Sequence, residues 1–560
     1  MKNSAWAHYL IDQCIQQGVS KFCIAPGSRS SPLALAAARH PKATLTVHFD
    51  ERALGFFALG CAMASGVPAA IIVTSGTAVG NLLPSVMEAS HSHIPLLLLT
   101  ADRPPEQRDC GANQATDQIK IFQNFVVWQT DLPCPDETFL SEGYVRSQAA
   151  FAVFQAKQRG PVQINCQFRE PLFEPASSFS EGTPQPFFLS KQTPSVELLS
   201  YVEEILNQSR RGLIVIGRLS SRSDTDAILT LAKQLGWPVF ADLLSQARCR
   251  ITSEQILQFD YAIRSNTTLF PDTILHFGGR FTSKELPVWI RKTGASVLHI
   301  DSQRERIDPL HERPIRIQVD PSLFCLSLKN VSSTAPGWLN EWQTLDIRLQ
   351  ESIERTLEED HPFTEPDLMN KLSHLLPENA SVFLAASMPI RDAEHFLFPR
   401  SVHSFYANRG LSGIDGQIAT AVGIAQTLKT PMVAILGDLS CLHDLNSLAL
   451  LHSLETPFLL LVSNNFGGGI FSHLPVSGCE EEHFEKLFAA SHDFRFEQAA
   501  KMFDIPYKNA STIDALDNLF PHKGPLLFEI FTSRKENTCF QKRILGECSL
   551  ALSSCQAGGK

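Results

Sequence analysis

The chain has 560 residues, which at roughly 150 residues per domain corresponds to about three to four domains. Apolar residues make up 44% and charged residues 19%, enough to build packed cores, so disorder is excluded over most of the length. Asp plus Glu at 58 outnumber Lys plus Arg at 48, and the resulting net charge of -10 argues against nucleic acid, although a few converging cations can still serve a small acidic ligand.

From the N-terminus, residues 1–17 mix Lys2, His8 and Asp12 with apolar residues at helical spacing. They lack the apolar stretch and small-residue cleavage site of a signal peptide, which predicts a cytoplasmic protein. Short apolar runs then recur at 21–25, 45–49, 69–73, 94–99 and 161–166, each followed by turn residues and a helical pattern. This alternation predicts a parallel sheet with crossover helices. Residues 171–194 turn rich in Pro, Ser and Phe without periodicity and read as an interdomain linker. A second set of strands is predicted at 213–217, 238–241, 273–277, 297–301 and 315–319, with an amphipathic helix at 224–235. A Ser, Thr and Pro cluster at 332–337 precedes a polar helical stretch over 338–359 that breaks at Pro362 and Pro366. The third set of strands falls at 382–386, 404–407, 432–436, 458–462 and 526–531, and its spacing is close enough to the first for the two units to be related folds. The chain therefore reads as three consecutive α/β domains with parallel sheets, at 1–175, 195–335 and 365–545. The Ser, Ala and Gly content of 549–560 predicts a frayed tail.

The apolar runs at 94–99 and 458–462 are far too short to span a membrane, so no membrane insertion is expected. Thirteen cysteines show no C-x-x-C pair and an odd total, which suits reduced, buried thiols better than a disulfide framework or a zinc site. His91 and His93 have no visible acid-base partner and read as packing or solvent-facing residues.

The strongest chemical signal is the apolar run at 432–436 ending in Gly437-Asp438, followed by Asn464-Asn465 at the end of the next run. Gly437 would allow a sharp turn, and Asp438 would then project from a strand's carboxyl end, where open α/β sheets bind ligands. Asp438, the Asn465 amide and the Gly467 carbonyl would supply half of an octahedral oxygen set for a hard divalent cation, although Gly-Asp and Asn-Asn pairs can also simply mark turns. Upstream, the Asn408 to Gly416 loop is glycine-rich and leads into a helical stretch at 417–428. Such a loop can present backbone N–H groups to a phosphate, or be only a tight turn. Glu51 stands just beyond a strand at the start of a helix, a position that serves either a ligand or the helix terminus.

Taken in order, Pro26-Gly27-Ser28-Arg29-Ser30, Asp50-Glu51-Arg52-Ala53, Thr74-Ser75-Gly76-Thr77-Ala78, Thr100-Ala101-Asp102-Arg103-Pro104-Pro105, Asn408-Arg409-Gly410-Leu411-Ser412-Gly413-Ile414-Asp415-Gly416, Gly437-Asp438-Leu439-Ser440 and Asn464-Asn465-Phe466-Gly467-Gly468-Gly469-Ile470-Phe471 closely resemble the MenD family. These are thiamine diphosphate-dependent synthases of menaquinone biosynthesis that form 2-succinyl-5-enolpyruvyl-6-hydroxy-3-cyclohexene-1-carboxylate (SEPHCHC). The resemblance spans nearly the whole chain and is thinnest in the middle unit, where Gly278-Gly279-Arg280 to Lys284 is the landmark. Leu439 stands where the wider superfamily's Gly-Asp-Gly has its second glycine, a form that MenD-like sequences share.

The resemblance implies pyrimidine-binding, central and diphosphate-binding domains, and a homodimer or tetramer whose active sites lie at the dimer interface. It implies thiamine diphosphate with Mg2+ or Mn2+ as cofactors. Glu51 matches the carboxyl group that hydrogen-bonds the aminopyrimidine ring, and Asp438, Asn465 and Gly467 match the metal ligands. Ser387, Ile414, Gly416, Leu439, Ser440 and Ile470 match further cofactor-binding positions, Ile414 being the apolar prop for the bent cofactor. The implied reaction decarboxylates 2-oxoglutarate and adds the remaining succinyl unit to isochorismate by 1,4-addition.

Both substrates are dicarboxylates, and planar guanidinium groups are the natural grip for carboxylates. Ser28, Arg29, Arg103, Asn113, Gln114 and Lys284 match positions around isochorismate. Ser387, Arg391 and Arg409 match those around the succinyl end, with Ile470 and Phe471 as an apolar wall. Glu51, Ser28, Arg29, Arg103, Gln114, Lys284, Arg391 and Arg409 are thus the candidate catalytic residues. A carboligase or decarboxylase for pyruvate or another 2-oxo acid, or a non-catalytic relative, are the alternatives. A nicotinamide-dependent dehydrogenase is disfavoured by the missing dinucleotide fingerprint.

Overall fold

The computed structural model describes residues 2–135, 141–175, 181–219, 221–332, 337–398, 402–520 and 523–557. Among the described residues seventeen strands form three separate sheets, and every strand pairing is parallel. The first sheet holds β1 (Lys21–Ile24), β2 (Thr44–Val47), β3 (Ala69–Val73), β4 (Leu96–Asp102), β5 (Trp128–Leu132) and β6 (Val162–Gln167) in the order β2-β1-β3-β4-β6-β5. The middle sheet holds β7 (Gly212–Ile216), β8 (Val239–Ala241), β9 (Thr273–Phe277), β10 (Ser296–Ile300) and β11 (Ile315–Ile317) in the order β11-β10-β9-β7-β8. The third holds β12 (Ser381–Leu384), β13 (Ser404–Tyr406), β14 (Met432–Gly437), β15 (Phe458–Asn464), β16 (Tyr507–Ala510) and β17 (Pro525–Phe531) in the order β13-β12-β14-β15-β17-β16.

The first and third sheets therefore share one strand order, position for position, as their common spacing in sequence suggested. Their inner strands are apolar runs buried along nearly their whole length, as expected for parallel strands covered on both faces. Each has one strand that the sequence reading did not contain, β5 and β16. Both are outermost strands with polar, half-exposed sequences, so no apolar run marks them.

The first and third units are fused along the helices Glu51–Ser65 and Gln417–Leu428, which pack face to face. One hydrophobic cluster runs through both, from Ile71 and Phe57 to Val422, Leu436 and Val462. The predicted linker carries no helix or strand over its described part, and residues 176–180 lie outside the described residues. It runs along the N-terminal helix Asn3–Gln16: Gln13 and Gln17 donate their amides to the carbonyls of Thr183 and Gln185, and the Gly182 N–H donates to Asp12.

One expectation is overturned at the C-terminus. Residues Arg534–Ala557 form a single helix rather than ending in a frayed tail at 549. Phe540, Ile544, Cys548 and Leu552 recur every four residues and are buried, partly against the helix Trp338–Glu358. Ser549 and Ser553 donate their hydroxyls back to the carbonyls four residues earlier, so their polarity does not break the helix. Among the described residues no helix is long and apolar enough to cross a membrane. The cysteines described are free and mostly buried, as expected.

Candidate active site

The carboxyl ends of β12, β14 and β15 open into a cavity of about 310 Å³ lined entirely by third-unit residues. Gly437, Asp438, Leu439 and Ser440 border it beyond β14, Asn465 and Gly467 beyond β15, Ser387 and Arg391 beyond β12, and Arg409 and Ile414 beyond β13. Ile470 and Phe471, on a short 3-10 turn, form an apolar side. A strand-end crevice of this kind is the usual ligand position in open parallel sheets.

Asp438 is only 2% exposed. One of its oxygens accepts the Leu439 N–H at 2.6 Å and the other the Gly467 N–H at 2.9 Å, with His492 Nε2 at 3.4 Å. Burial pushes its carboxyl above the usual range, and the backbone donors and His492 work against that rise. Asn465 donates its Nδ2 to Glu365 Oε1 at 2.8 Å, while its Oδ1 is buried with no hydrogen-bond partner. A carboxylate beside an unpartnered amide oxygen fits a hard cation, whose ligands are oxygens. Among the described residues no cluster of three or more His, Cys, Asp or Glu offers a rival metal position.

The glycines act differently from their sequence reading. Gly437 is extended, with φ -81°, and makes no sharp turn. A Cβ there would meet no atom within 4 Å, so its missing side chain leaves the cavity wall bare. Gly467 does require glycine, with φ +152° and a would-be Cβ only 2.7 Å from the Ala489 carbonyl oxygen. Gly416 does not line the cavity: a Cβ on it would fall into the Phe56 ring at 1.9 Å, which makes it a packing glycine between helices. Nor is the N-terminus of Gln417–Leu428 open to a phosphate within the chain, because the Asp444 carboxylate accepts the Ala419 N–H at 3.0 Å.

Arg391 and Arg409 are half-buried cations that form no ion pair with any described residue. Arg391 donates to the Ser387 carbonyl, and Arg409 nearby helps burial to lower its pKa. Ser387 holds φ +75°, a strained conformation for a residue with a side chain, at the entry to the Met388–Phe396 helix. The loop bearing Arg409 is clamped from two other units. Glu88 accepts the N–H groups of Gly410 and Leu411 at 2.7 and 2.8 Å, and Arg280 donates to the Gly410 carbonyl at 2.9 Å.

The first-unit candidates form a second cluster at the ends of β1, β3 and β4. Arg103 donates to Ser75 Oγ at 3.0 Å and to the Asn113 carbonyl at 2.7 Å, and Gln114 donates to the Ser75 carbonyl at 2.8 Å. Arg29 is buried on the Phe168 carbonyl at 2.8 Å, while Ser28, Asn113 and Gln114 are exposed. Ser75, the hub of this cluster, was not singled out from sequence. Asp50, not Glu51, caps the following helix by accepting the Ala53 N–H, which leaves Glu51 to accept from Asn81 at 3.1 Å. Lys284 is 78% exposed and lies 3.8 Å from Glu285. None of Ser28, Arg29, Glu51, Arg103, Asn113, Gln114 and Lys284 borders the third-unit cavity of its own chain. His93 does have a partner, Glu305 of the middle unit at 3.5 Å, and His91 bonds within its own helix to the Met87 carbonyl.

Comparison with known proteins gives these clusters a context. Residues 5–121 match the N-terminal binding domain of thiamine pyrophosphate enzymes, 183–384 the middle domain and 388–530 the C-terminal binding domain. The 2-succinyl-5-enolpyruvyl-6-hydroxy-3-cyclohexene-1-carboxylate synthase of Rubrobacter xylanophilus is 38% identical, covering 97% of this chain and 98% of its own. Synthases of the same name from Chloroflexus aurantiacus and Bacillus velezensis are 38% and 35% identical, covering 99% and 96% of this chain and 97% of each relative. The chain belongs to this SEPHCHC synthase family. It is a three-domain α/β thiamine diphosphate enzyme of the transferase class, as its motifs implied. Within the synthase framework, residues that sequence reasoning missed stand behind the expected ones. Glu365 accepts from Asn465, His492 lies 3.4 Å from Asp438, and Asp392 lines the same cavity.

Proposed function

We propose that the chain decarboxylates 2-oxoglutarate and joins the resulting four-carbon unit to isochorismate by 1,4-addition, releasing carbon dioxide and forming SEPHCHC. The observation that carries this reading is the coexistence, in one cavity, of the Asp438 and Asn465 oxygens with the unpaired guanidinium groups of Arg391 and Arg409. A pyruvate enzyme has no distal carboxylate to bind and no use for such cations.

Bound thiamine diphosphate supplies the electron sink for decarboxylating a 2-oxo acid. Asp438, Asn465 and the Gly467 carbonyl would hold Mg2+ or Mn2+ against its diphosphate, beside Leu439 and Ser440. Ile414 and Ile470 give the cofactor apolar support, and Ser387 with Arg391 and Arg409 binds the 2-oxoglutarate carboxylates. Glu51 would hydrogen-bond the cofactor's pyrimidine ring from a partner subunit, together with the Ser28, Arg29, Arg103, Asn113 and Gln114 cluster, which takes the isochorismate carboxylates. Lys284 would have to swing from Glu285 to join them, and Gly416 contributes through helix packing. The working unit is a homodimer or a pair of dimers in the cytoplasm, with units bounded at 1–175, 195–335 and 365–545.

The test is carbon dioxide release from 2-oxoglutarate by the full chain with thiamine diphosphate and Mg2+, with and without isochorismate. Product requiring both dicarboxylates supports the reading. Faster turnover of pyruvate would assign the chain to a different carboligase.

A further inference from the structure

An asparagine side chain is nearly the same shape after a half-turn of its amide, yet only one orientation offers oxygen to a cation. Asn465 faces this choice, and the side chains behind it decide the outcome. Glu365 Oε1 accepts from Asn465 Nδ2 at 2.8 Å, from Ser463 Oγ at 3.0 Å and from Thr532 Oγ1 at 3.2 Å. An oxygen already receiving three donors has no hydrogen to give, so turning the amide would set oxygen against oxygen. The NH2 group is thereby committed to Glu365, and Oδ1 is left without a hydrogen-bond partner in the cavity that Asp438 also lines.

Glu365 is itself fixed. Its backbone N–H donates to Asn537 Oδ1 at 2.8 Å in the first turn of the Glu365–Leu375 helix, and the Thr364 and Asp367 capping box secures that turn. Behind it, Asp392 is buried and its Oδ1 accepts from Gln541 Nε2 at 2.8 Å. Glu365 therefore presents a fixed acceptor to Asn465.

We infer that Glu365 is a positioning residue that locks the Asn465 amide with its oxygen toward the divalent cation. The inference rests on the proposed metal site and adds to it a residue that acts through the Asn465 amide. Outer partners of this kind commonly change metal affinity by about 10- to 100-fold.

The experiment titrates Mn2+ into the full-length protein with thiamine diphosphate present, following free Mn2+ by electron paramagnetic resonance. Two variants separate charge from geometry. Glu365→Gln loses the charge but keeps a carbonyl oxygen in reach of all three donors. Glu365→Asp keeps the charge but withdraws the acceptor by one methylene. The expected result is Mn2+ affinity close to the parent's for Glu365→Gln and weaker by about tenfold or more for Glu365→Asp. Tight binding by Glu365→Asp, or a comparable loss in Glu365→Gln, would overturn the inference. Mn2+ affinity unchanged by Asp438→Asn would instead overturn the metal site, and this inference with it.

Discussion

Gly60 and Gly423 stand against each other's helix across the junction of the first and third units. A Cβ on Gly60 would lie 2.1 Å from the Thr420 carbonyl oxygen, and one on Gly423 would lie 2.1 Å from the Phe57 carbonyl oxygen. The relationship is reciprocal because the two units have the same strand order and meet through equivalent helices. Helix propensity alone favours alanine over glycine by about 1 kcal/mol. Backbone oxygens cannot rotate aside as a side chain can, so the helices would have to part, and overpacking costs about 1–3 kcal/mol. Gly60→Ala and Gly423→Ala should each lower the urea midpoint, and the double variant should cost less than the sum because one separation relieves both. A raised midpoint in either single variant would show that propensity wins and the contact yields.

Most of the framework is legible in the sequence because buried parallel strands are written as uninterrupted apolar runs. The strands β3, β4, β14 and β15 are examples, and their carboxyl-end residues Arg103, Asp438 and Asn465 fall where a ligand would be met. Edge strands β5 and β16 escape because half of each is wet. Glycines mislead because sequence reports only the missing side chain: Gly437 serves space, Gly467 backbone angle and Gly416 the Phe56 ring. Glu365 escapes because its effect runs through Asn465, 100 residues away in the chain, and no local pattern records such a contact.

Substitution of Arg391 should redirect substrate choice as well as slow the enzyme. Its guanidinium forms no ion pair with a described residue, so a substrate carboxylate would be its natural partner. A hydrogen bond to a charged group contributes about 1.5–3 kcal/mol, or roughly ten- to hundredfold in kcat/KM. Arg391→Met should lose that much with 2-oxoglutarate, while any slow decarboxylation of pyruvate should be preserved or improved. Equal losses with both acids would place the distal carboxylate elsewhere.

Asp444 should leave a signature in the pH dependence of stability. It is fully buried at the start of the Gln417–Leu428 helix, accepts from Ala419 N–H and Ser447 Oγ, and is pushed up to about 6 by burial. In the unfolded chain an Asp titrates near 3.9. Between those values the folded protein holds more protons than the unfolded one, so this residue's contribution falls as pH rises from about 4 to about 6 and is level beyond. The two-unit difference is worth about 3 kcal/mol. Asp444→Asn has no such titration, so its unfolding free energy relative to the parent should increase across that window. A flat difference would mean that Asp444 ionises in the fold as freely as in the unfolded chain.

Glu51 and Asp438 provide the test of whether a working site needs two chains. Glu51 starts a helix of the first unit, Asp438 ends a strand of the third, and Glu51 does not border the cavity that Asp438 lines in the same chain. Glu51→Gln should leave the fold intact and greatly slow turnover, because it removes the carboxyl group proposed to hydrogen-bond the pyrimidine ring. Asp438→Asn should weaken Mg2+ and hold less thiamine diphosphate, again with the fold preserved. In a two-fold symmetric dimer whose sites combine the first unit of one chain with the third of the other, coexpression of the two variants on different tags yields a heterodimer with one intact site and one doubly impaired site. That purified heterodimer should show about half the parent activity per dimer, although each homodimer is nearly inactive. If each site were built within one chain, every site would carry a lesion and the heterodimer would stay as inactive as its parents. Recovery therefore decides between the two arrangements, and it does so without depending on which carboxylate either arginine grips.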